Sequence, residues 1–172
     1  MELIGSNFKL RPWTMGDKES IVEQANNINV WKTLRDFFPH PYRLEDAETW
    51  IKDNITKEPT VSFVLEVDGK VAGSIGLTPQ SDVYRKNIEI GYFLGEGYWN
   101  RGIMSEAIKI MTDYIFSNFD VVRVYASVFE ANPASARVLE KAGYKLEGVF
   151  PKGIYKQGKY LDEYIYGLGK PD

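Results

Sequence analysis

One continuous stretch, residues 87–115, constrains the fold of this chain more than any other part of the sequence. Asn87 to Leu94 alternates in hydropathy and predicts a β-strand, and a glycine-rich loop follows it. Beyond Gly102, apolar residues recur at helical spacing, which predicts a helix that packs against a sheet. The first N–H groups of such a helix lack partners within the helix, and the helix dipole adds positive charge there. The stretch therefore predicts a binding site for phosphate or pyrophosphate.

The glycine spacing of this stretch excludes the two most common phosphate-binding loops. The P-loop requires a glycine, four further residues and then Gly-Lys-Ser or Gly-Lys-Thr, and the dinucleotide fingerprint requires Gly-x-Gly-x-x-Gly between a strand and a helix. Gly91, Gly95, Gly97 and Gly102 fit neither pattern. A different kind of anion-binding loop is therefore expected.

The loop Trp99–Met104 resembles the pyrophosphate loop of the GNAT superfamily of acetyl-CoA-dependent N-acyltransferases, whose pattern is Gln/Arg-x-x-Gly-x-Gly/Ala. When Gly102 is aligned with the first glycine of that pattern, Trp99 stands at the Gln/Arg position and Met104 at the last small-residue position. Both residues depart from the pattern. A chain that binds acyl-CoA without turning it over is the alternative that these departures raise.

Further segments extend the same resemblance over nearly the whole chain. Residues 132–144 resemble the second signature of the superfamily, in which an Asn-x-x-Ser segment opens a helix that ends in Gly-Phe or Gly-Tyr. Leu10–Trp13 followed by Asp17, and the segments 39–51 and 147–162, resemble the branch that contains the ribosomal-protein alanine N-acetyltransferases. The chain is thus similar to a GNAT acetyltransferase of that branch.

The resemblance and the sequence patterns together predict an α+β fold with a single N-acetyltransferase domain over residues 1–172. The family architecture has three layers, α/β/α, around a mixed and mostly antiparallel sheet whose two central strands start parallel and then splay apart. Here those strands would be Asn87–Leu94 and Val121–Phe129. The length of 172 residues and the hydrophobic fraction of 44% suffice for one core.

Turn and cap residues predict the remaining elements. Asp68-Gly69 predicts a hairpin between strands at Val61–Val67 and Lys70–Leu77. Asn132 and Gly143 predict the two ends of a helix of about three turns. In the first half of the chain, a strand is predicted at Phe8–Pro12, one helix after Thr14 and another from Leu44. Between these helices, Trp31–Tyr42 is predicted to be an irregular aromatic segment that could border the acceptor site. In the tail, strands are predicted at Tyr144–Phe150 and Gly153–Gly167, with a turn at Gln157-Gly158.

Composition argues against several classes of function. With a formal net charge of −3, the chain lacks the excess of Lys and Arg found in nucleic-acid grooves, so no nucleic-acid partner is expected. One His and no Cys leave no usual zinc ligand set and no thiol nucleophile, so no metal is expected. The sequence shows no leader pattern and no apolar run of about 18 residues, which predicts a cytoplasmic protein without a membrane partner. Either a monomer or a homodimer is expected.

The resemblance also implies which residues bind acetyl-CoA, the expected cosubstrate. Pantetheine would bind, as an extra strand does, to the backbone of Tyr92, Phe93 and Leu94, one of whose N–H groups would polarise the thioester oxygen. The pyrophosphate would bind to the N–H groups of Asn100, Arg101, Gly102, Ile103, Met104 and Ser105. Asn132 matches the family side chain that bonds pantetheine from the other side, and Ser135 in the same helix is a second expected contact.

Few catalytic side chains are needed, because acyl transfer from a thioester depends mainly on positioning. The most familiar general acid of the family is a Tyr seven residues after the Asn, and here that position is Leu139. Ser135, or a water that it holds, is therefore the predicted acid. Glu89 precedes the pantetheine-binding residues and is the predicted base, although an exposed charge or a partner for an Arg is the alternative. Tyr125 and Ser127 face the same cleft by strand alternation.

The predicted function is direct transfer of an acetyl group from acetyl-CoA to a primary amine, without a covalent enzyme intermediate. The branch implies a protein N-terminus as the acceptor. Because an α-amino group has an ordinary pKa of about 7.7 to 8.0, against about 10.4 for Lys, a weak base suffices for that acceptor. A small amine such as a polyamine or an aminoglycoside is the second hypothesis, and an acyl-CoA-binding sensor without turnover is the third.

Overall fold

A computed structural model describes residues 1–171, which contain eight strands and five α-helices. The strands are β1 (Leu3–Ile4), β2 (Lys9–Arg11), β3 (Ser62–Val67), β4 (Lys70–Pro79), β5 (Asn87–Leu94), β6 (Arg123–Phe129), β7 (Lys145–Lys156) and β8 (Lys159–Gly169). The helices are α1 (Lys18–Ala25), α2 (Ile28–Trp31), α3 (Leu44–Asn54), α4 (Ile103–Asn118) and α5 (Pro133–Lys141). The strands form a mixed sheet in the order β1-β2-β3-β4-β5-β6-β8-β7, which confirms the predicted α+β class.

The chain forms two compact units, and strands β4 and β5 contribute residues to both. The first unit comprises Met1–Gly76 and Tyr92–Ile103. The second unit comprises Leu77–Gly91 and the residues from Met104 onward.

In the first unit, strands β1 to β4 form an antiparallel meander. Val67 of β3 lies opposite Lys70 of β4 across the two-residue turn Asp68-Gly69. Both turn residues have positive φ, 49° and 75°, as a type I′ hairpin turn requires. The predicted hairpin is therefore confirmed.

A buried cluster packs helices α1 and α3 against the strands of the first unit. Ile21 and Ala25 project from α1, and Ala47 and Ile51 project from α3, each pair four residues apart on one helix face. The other buried members of the cluster are Trp13, Tyr42, Val64 and Val71. Burial of each large apolar side chain stabilises the fold by about 1.5 to 3 kcal/mol, so this cluster fixes both helices on the sheet.

Arg11 holds the entrance to α1 through two carboxylates. Its guanidinium donates to Asp17 at 2.7 and 2.9 Å and to Glu66 at 2.6 Å. The N–H of Thr14 also donates to Asp17, at 2.8 Å. Burial favours the neutral acid, but the hydrogen bonds from Arg11 and Thr14 outweigh it and hold the pKa of Asp17 below its ordinary value. This network forms one 3-10 turn at Met15–Asp17, so α1 starts later than the position of Thr14 predicts.

In the second unit, β5 and β6 run parallel, whereas β6 with β8 and β8 with β7 run antiparallel. The parallel pairs extend from Asn87 opposite Arg123 to Glu89 opposite Tyr125, and both strands continue beyond them. The prediction that these two strands start parallel is confirmed.

Two helices of the second unit also follow their sequence patterns. The apolar stripe of α4 is fully or nearly fully buried at Met104, Ala107, Ile108, Met111 and Ile115. Helix α5 starts after Asn132, with Pro133 at its first position, and spans nine residues, or two and a half turns instead of the predicted three.

Two of the differences from the sequence-based predictions have a cause in local hydrogen bonds. A short helix, α2, extends to Trp31, the first residue of the predicted irregular segment, and Asn27 caps this helix by accepting a hydrogen bond from the Asn29 N–H at 2.8 Å. Strand β6 starts at Arg123 instead of Val121, because the Val121 N–H closes a turn on the carbonyl of Phe119 at 2.9 Å.

Strand β7 is continuous where the sequence predicts a break around Pro151. The register with β8 shifts between Phe150 and Ile154, and Lys152 has a φ of 56°. The N–H of Lys152 donates to the Asp162 carboxylate at 2.8 Å instead of to the regular ladder. A bulge of this kind allows proline in an edge strand, so two predicted strands are one bulged strand.

Candidate functional site

The residues predicted to bind acetyl-CoA or to catalyse transfer are distributed over both units. The first unit contains Tyr92, Phe93, Leu94, Asn100, Arg101, Gly102 and Ile103. The second unit contains Glu89, Met104, Ser105, Asn132 and Ser135.

In the first unit, the end of β5 is held close to β4. The N–H of Gly95 donates to the Ala72 carbonyl at 2.8 Å. A Cβ at Gly73 would lie 2.2 Å from the Phe93 carbonyl oxygen, so only glycine permits this approach. Residues 92–94 are half-buried, which leaves part of this strand end accessible. A strand end fixed in this way can present backbone groups to an extended ligand.

The loop after β5 is closed by two of its own side chains. The indole N–H of Trp99 donates to the Leu94 carbonyl at 2.7 Å. The Arg101 guanidinium donates to the Gly97 carbonyl at 2.7 Å and lies 5.5 Å from the centre of the Tyr98 ring. Trp99, which departs from the superfamily pattern, therefore has a structural role that the sequence did not reveal.

The start of α4 has no side-chain cap at its N-cap position, because the residue there is Gly102. Asn100 and Gly102 have φ values of 61° and 75°, a left-handed conformation that glycine and asparagine adopt most readily. Ile103 and Met104 are only 2% and 6% exposed, which anchors the first turn in the apolar core. The first N–H groups of α4 therefore receive no acceptor from an N-cap side chain and suit an anionic ligand.

Glu96 links the same loop to the residues around α2. Its carboxylate accepts hydrogen bonds from the Asn27 amide at 2.8 Å and the Asn29 amide at 3.2 Å. These bonds, that from Asn27 first, lower the pKa of Glu96 below its ordinary value. No sequence pattern predicts this link, because its partners lie 67 and 69 residues away along the chain.

The aromatic segment proposed to border the acceptor site is partly core and partly surface. The rings of Phe38 and Tyr42 stack at 4.9 Å, and Tyr42 is buried. Phe38 also packs edge-on against Phe93 of β5 at 5.3 Å. Trp31 stacks on the only histidine, His40, at 5.3 Å. Phe37 is 73% exposed, so it is the segment's most accessible aromatic side chain.

In the second unit, Glu89 is half-buried and lies beside Tyr125 in the parallel ladder. The guanidinium of Arg123 lies 4.7 Å from the centre of the Tyr125 ring and donates to Asn87 at 3.1 Å. Because partners in a ladder share one face, these four residues form a polar surface. Ser127, two residues beyond Tyr125, lies on the same face. This surface includes one carboxylate, that of Glu89, and a carboxylate is a kind of group that can act as a general base.

Asn132 and Ser135 are close together at the start of α5. The Asn132 side-chain oxygen accepts a hydrogen bond from the Ser135 N–H at 3.2 Å, and the Asn132 N–H donates to the Phe129 carbonyl at 2.8 Å. This cap uses the Oδ1 atom, so the Nδ2 amide can serve a ligand. Leu139, at the position of the superfamily's usual acid, is fully buried and apolar.

Tyr144, which closes the second signature, has a structural role. It is buried, and its hydroxyl lies 2.7 Å from the hydroxyl of Thr112 on α4. Burial raises the pKa of Tyr144 to about 12, although the hydrogen bond with Thr112 opposes the rise. The Tyr144 hydroxyl therefore links the segment that follows α5 to α4, and it remains protonated at neutral pH.

Within residues 1–171, no group of three or more His, Cys, Asp and Glu side chains is arranged to hold a metal ion. Over the same residues, no helix combines the length and the apolar character that a membrane span requires.

Comparison with known proteins relates these features to one family. The acetyltransferase (GNAT) domain family matches residues 7–145. The chain is 28% identical to the Probable N-acetyltransferase YjcK of Bacillus subtilis, over 99% of this chain and 98% of that protein. It is 27% identical to spermidine N(1)-acetyltransferase of Escherichia coli, over 90% of this chain and 81% of that protein. A solved structure of the ribosomal L7/L12 alpha-N-protein acetyltransferase RimL, in complex with coenzyme A, matches with a TM-score of 0.85 at 19% identity, over 98% of both chains. The chain therefore belongs to the GNAT family of acetyltransferases and is an N-acetyltransferase by class.

Proposed function

We propose that this chain transfers the acetyl group of acetyl-CoA to the α-amino group of a protein N-terminus, and that residues 1–172 act as one acetyltransferase domain. The observation that carries the cofactor assignment is the start of α4, where the N-cap residue, Gly102, has no side chain that could accept a hydrogen bond from the first N–H groups. The pyrophosphate would accept hydrogen bonds from the N–H groups of residues 100–105. The coenzyme A bound to RimL supports a coenzyme A thioester as the cosubstrate.

Pantetheine would bind along β5 and at α5. The backbone of Tyr92, Phe93 and Leu94 would pair with its amides, and one of these N–H groups would stabilise the negative charge that develops on the thioester oxygen. The Leu94 carbonyl already accepts the Trp99 indole N–H, so Leu94 would contact the ligand through its N–H. The Nδ2 amide of Asn132 would donate to a pantetheine carbonyl, while its Oδ1 atom keeps the cap of α5.

The transfer step itself requires one base and one acid. The amine nitrogen attacks the thioester carbon, and the C–N bond forms as the C–S bond breaks. The proton that leaves the amine goes to Glu89, directly or through water, and the departing thiolate takes a proton from the hydroxyl of Ser135 or from a water that it holds. Because Leu139 is buried and apolar, the usual acid position supplies no proton.

Two observations bear on the acceptor. The resemblance to the ribosomal-protein branch and the fold shared with RimL favour a protein N-terminus. Similarity to spermidine N(1)-acetyltransferase over 90% of the chain favours a small polyamine as the second candidate. We place the protein N-terminus first because a carboxylate base matches the ordinary pKa of an α-amino group, about 7.7 to 8.0, better than that of an alkylamine, about 10.4.

An acceptor screen tests this proposal. Purified protein and acetyl-CoA are mixed with N-terminal peptides, spermidine or an aminoglycoside, and free coenzyme A is followed with a thiol-reactive dye. We expect turnover on the peptides and little on the small amines. Turnover on spermidine alone would replace the protein N-terminus with the polyamine. Tight acetyl-CoA binding with no coenzyme A release on any acceptor would contradict turnover and favour a sensor.

The role of Glu89 is tested by Glu89→Gln. We expect turnover to fall by about a hundredfold, because the amide cannot take the proton, while the Kd for acetyl-CoA changes little. Initial rates between about pH 6 and pH 9, with the Kd from calorimetry, measure both quantities. Unchanged turnover over this pH range would remove Glu89 as the base.

A further inference from the structure

Glu163 on β8 lies between two aromatic side chains of the neighbouring strands. It pairs with Phe129 of β6 on one side and with Phe150 of β7 on the other. Directly opposed residues project from the same face, with Cβ atoms about 4.5 to 5.5 Å apart, so both aromatic residues are cross-strand neighbours of Glu163. Phe129 is 8% exposed and Phe150 is 53% exposed, so one side of this arrangement is buried and the other is open to solvent.

The negative charge of Glu163 has a hydroxyl as its partner instead of a cation. Its carboxylate accepts a hydrogen bond from Ser127 at 2.5 Å and is half-buried. By contrast, Glu147 on β7 is paired with Arg123, and Glu66 with Arg11. The ion pairs found among residues 1–171 do not include Glu163. Ser127 fixes the direction of the carboxylate but leaves its charge uncompensated.

A positively charged group is the chemical complement of this arrangement. A half-buried carboxylate gains more from a cation than an exposed one, because its charge is less screened by water. An aromatic ring beside the carboxylate adds cation–π attraction for an ammonium or guanidinium group. Ser127, Glu163 and the two aromatic residues lie on the same sheet face as Glu89, so this face has the chemical groups that a cation-binding position requires.

Strand geometry gives the distance between Glu163 and the proposed base. Glu89 is the ladder neighbour of Tyr125, and Glu163 is opposite Phe129, four residues further along β6. With about 3.3 Å per residue and about 4.8 Å between strands, the two Cα atoms lie about 16 Å apart. The bond to Ser127 holds the Glu163 carboxylate nearer to Glu89, because Ser127 is only two residues beyond Tyr125 and its Cα lies about 8 Å from that of Glu89. Two amino groups bound by the two carboxylates would therefore lie on the order of 10 Å apart. An extended diamine, or an N-terminal residue followed by a basic side chain, spans this length.

We propose that Glu163, oriented by Ser127, binds a second positive charge of the amine acceptor and so selects acceptors with two cationic groups. This inference rests on the proposed function, because it assigns part of the acceptor site of the same enzyme. It makes Glu163 a specificity-determining residue, whereas proton transfer remains with Glu89.

Matched acceptors that differ by one charge test the proposal. One pair is 1,7-diaminoheptane and 1-aminoheptane, and the other is a peptide that begins Ala-Lys and the same peptide with norleucine in place of lysine. We expect the wild-type protein to favour the doubly charged member of at least one pair by roughly tenfold in kcat/KM, mainly through KM. In Glu163→Gln this ratio falls to about one, because the amide keeps a hydrogen-bond acceptor for Ser127 but loses the charge.

Glu147→Gln is the matched control, since Glu147 on the adjacent strand is already paired with Arg123 and should leave the wild-type ratio in place. A preference that survives in Glu163→Gln, or a wild-type protein without any preference, would overturn the proposal. The pair that responds identifies the source of the second charge, a diamine or a basic peptide.

A binding measurement separates this inference from the proposed function. Calorimetry with 1,7-diaminoheptane, in the presence of coenzyme A, is run on the wild-type protein and on Glu163→Gln. If no acceptor releases coenzyme A but the variant loses diamine binding, the acetyl transfer proposal fails and the cation-binding role of Glu163 stands. Equal diamine binding by the two proteins would exclude that role, whatever the turnover.

Discussion

Helices α4 and α5 carry the two family signatures, and they begin in opposite ways. At α4 the N-cap position is Gly102, which has no side chain to accept a hydrogen bond from the first turn. At α5 the N-cap is Asn132, whose side-chain oxygen accepts from the Ser135 N–H. The first helix start is suited to recognise a ligand through its backbone, whereas the second is closed by a side chain whose remaining amide can serve a ligand.

The approach to α1 shows a third arrangement, in which the polar groups serve folding alone. Asp17 accepts hydrogen bonds from Thr14 and Arg11 and is 5% exposed. A buried carboxylate in this position stabilises the local turn and leaves no group for a ligand. The polar groups at the start of α1 thus stabilise the fold, whereas those at the starts of α4 and α5 are proposed to bind the cofactor. Substitutions at each of the three helix starts test this difference.

The largest effect is expected from Asp17→Asn. This substitution should lower the stability of the fold and leave acetyl-CoA binding unchanged. Loss of a buried, bidentate partner of Arg11 should cost about 3 kcal/mol in the free energy of unfolding. Because the pKa of Asp17 is lowered from 3.8, the stabilisation is present at neutral pH and is lost as the pH falls through the folded-state value. The difference in unfolding free energy between wild type and Asp17→Asn should therefore become smaller in acid. Urea unfolding at several pH values measures this difference.

Asp120→Asn serves as the control for that measurement. Asp120 also has an acidic side chain paired with a lysine, Lys86, but it is 94% exposed. We expect no measurable change in unfolding free energy. A gap between wild type and Asp17→Asn that widens in acid would contradict the assigned direction of the pKa shift.

Gly102→Val should give the next largest effect, on cofactor affinity. A β-branched residue at a φ of 75° is strained, so the loop before α4 must change its conformation. We expect the Kd for acetyl-CoA, measured by calorimetry, to rise by about a hundredfold. Gly158→Val introduces the same strain at a φ of 76° in the turn between β7 and β8 and should leave this Kd unchanged. Equal Kd values for the two variants would show that Gly102 has no special part in binding.

Asn132→Asp separates the cap of α5 from its proposed contact with the cofactor. The carboxylate still accepts the Ser135 N–H, so the melting temperature should stay close to wild type. It has no N–H to donate, so acetyl-CoA affinity should fall by about tenfold. Asn132→Ala removes both functions and should lose affinity together with about 1 kcal/mol of stability. Wild-type affinity in Asn132→Asp would reduce Asn132 to a helix cap.

The smallest effect is expected from Trp99→Phe. This change removes the indole N–H that bonds the Leu94 carbonyl, a contact worth about 1 kcal/mol at most at this partly exposed site. The Kd for acetyl-CoA should rise about threefold, as the strand end and loop become less fixed. Trp13→Phe also removes an indole hydrogen bond, to the Ser62 hydroxyl in the core of the first unit, and should not change this Kd. A similar rise in both variants would point to general loosening of the first unit.

Local signals in the sequence predicted much of the fold. Asp68-Gly69 fixed the hairpin of β3 and β4, since few residues tolerate positive φ at both turn positions. The apolar spacing after Gly102 predicted the buried face of α4, and Asn132 predicted the start of α5. These features depend on residues close together in the chain, and therefore on patterns that a sequence displays.

Features that depend on distant side chains were not predictable in the same way. The bonds of Glu96 to Asn27 and Asn29, and that of Ser127 to Glu163, join residues 36 to 69 positions apart. No spacing rule encodes such contacts, because they follow from strand register and helix packing. The hydrogen bond from Trp99 to the Leu94 carbonyl was not predicted either, because the family pattern expects Gln or Arg at this position and gives no role to a Trp there. The cofactor and catalytic roles of the candidate residues remain predictions.

The contact between Phe38 and Phe93 has a consequence for engineering this enzyme. Phe93 belongs to the strand end proposed to hold pantetheine, and its ring packs on a side chain from the aromatic segment that precedes α3. Directed evolution of that segment toward new amines would therefore also disturb the strand behind it. Libraries that vary the segment should be screened at several acetyl-CoA concentrations, because a gain in substrate range and a loss of cosubstrate affinity will arise from the same mutations.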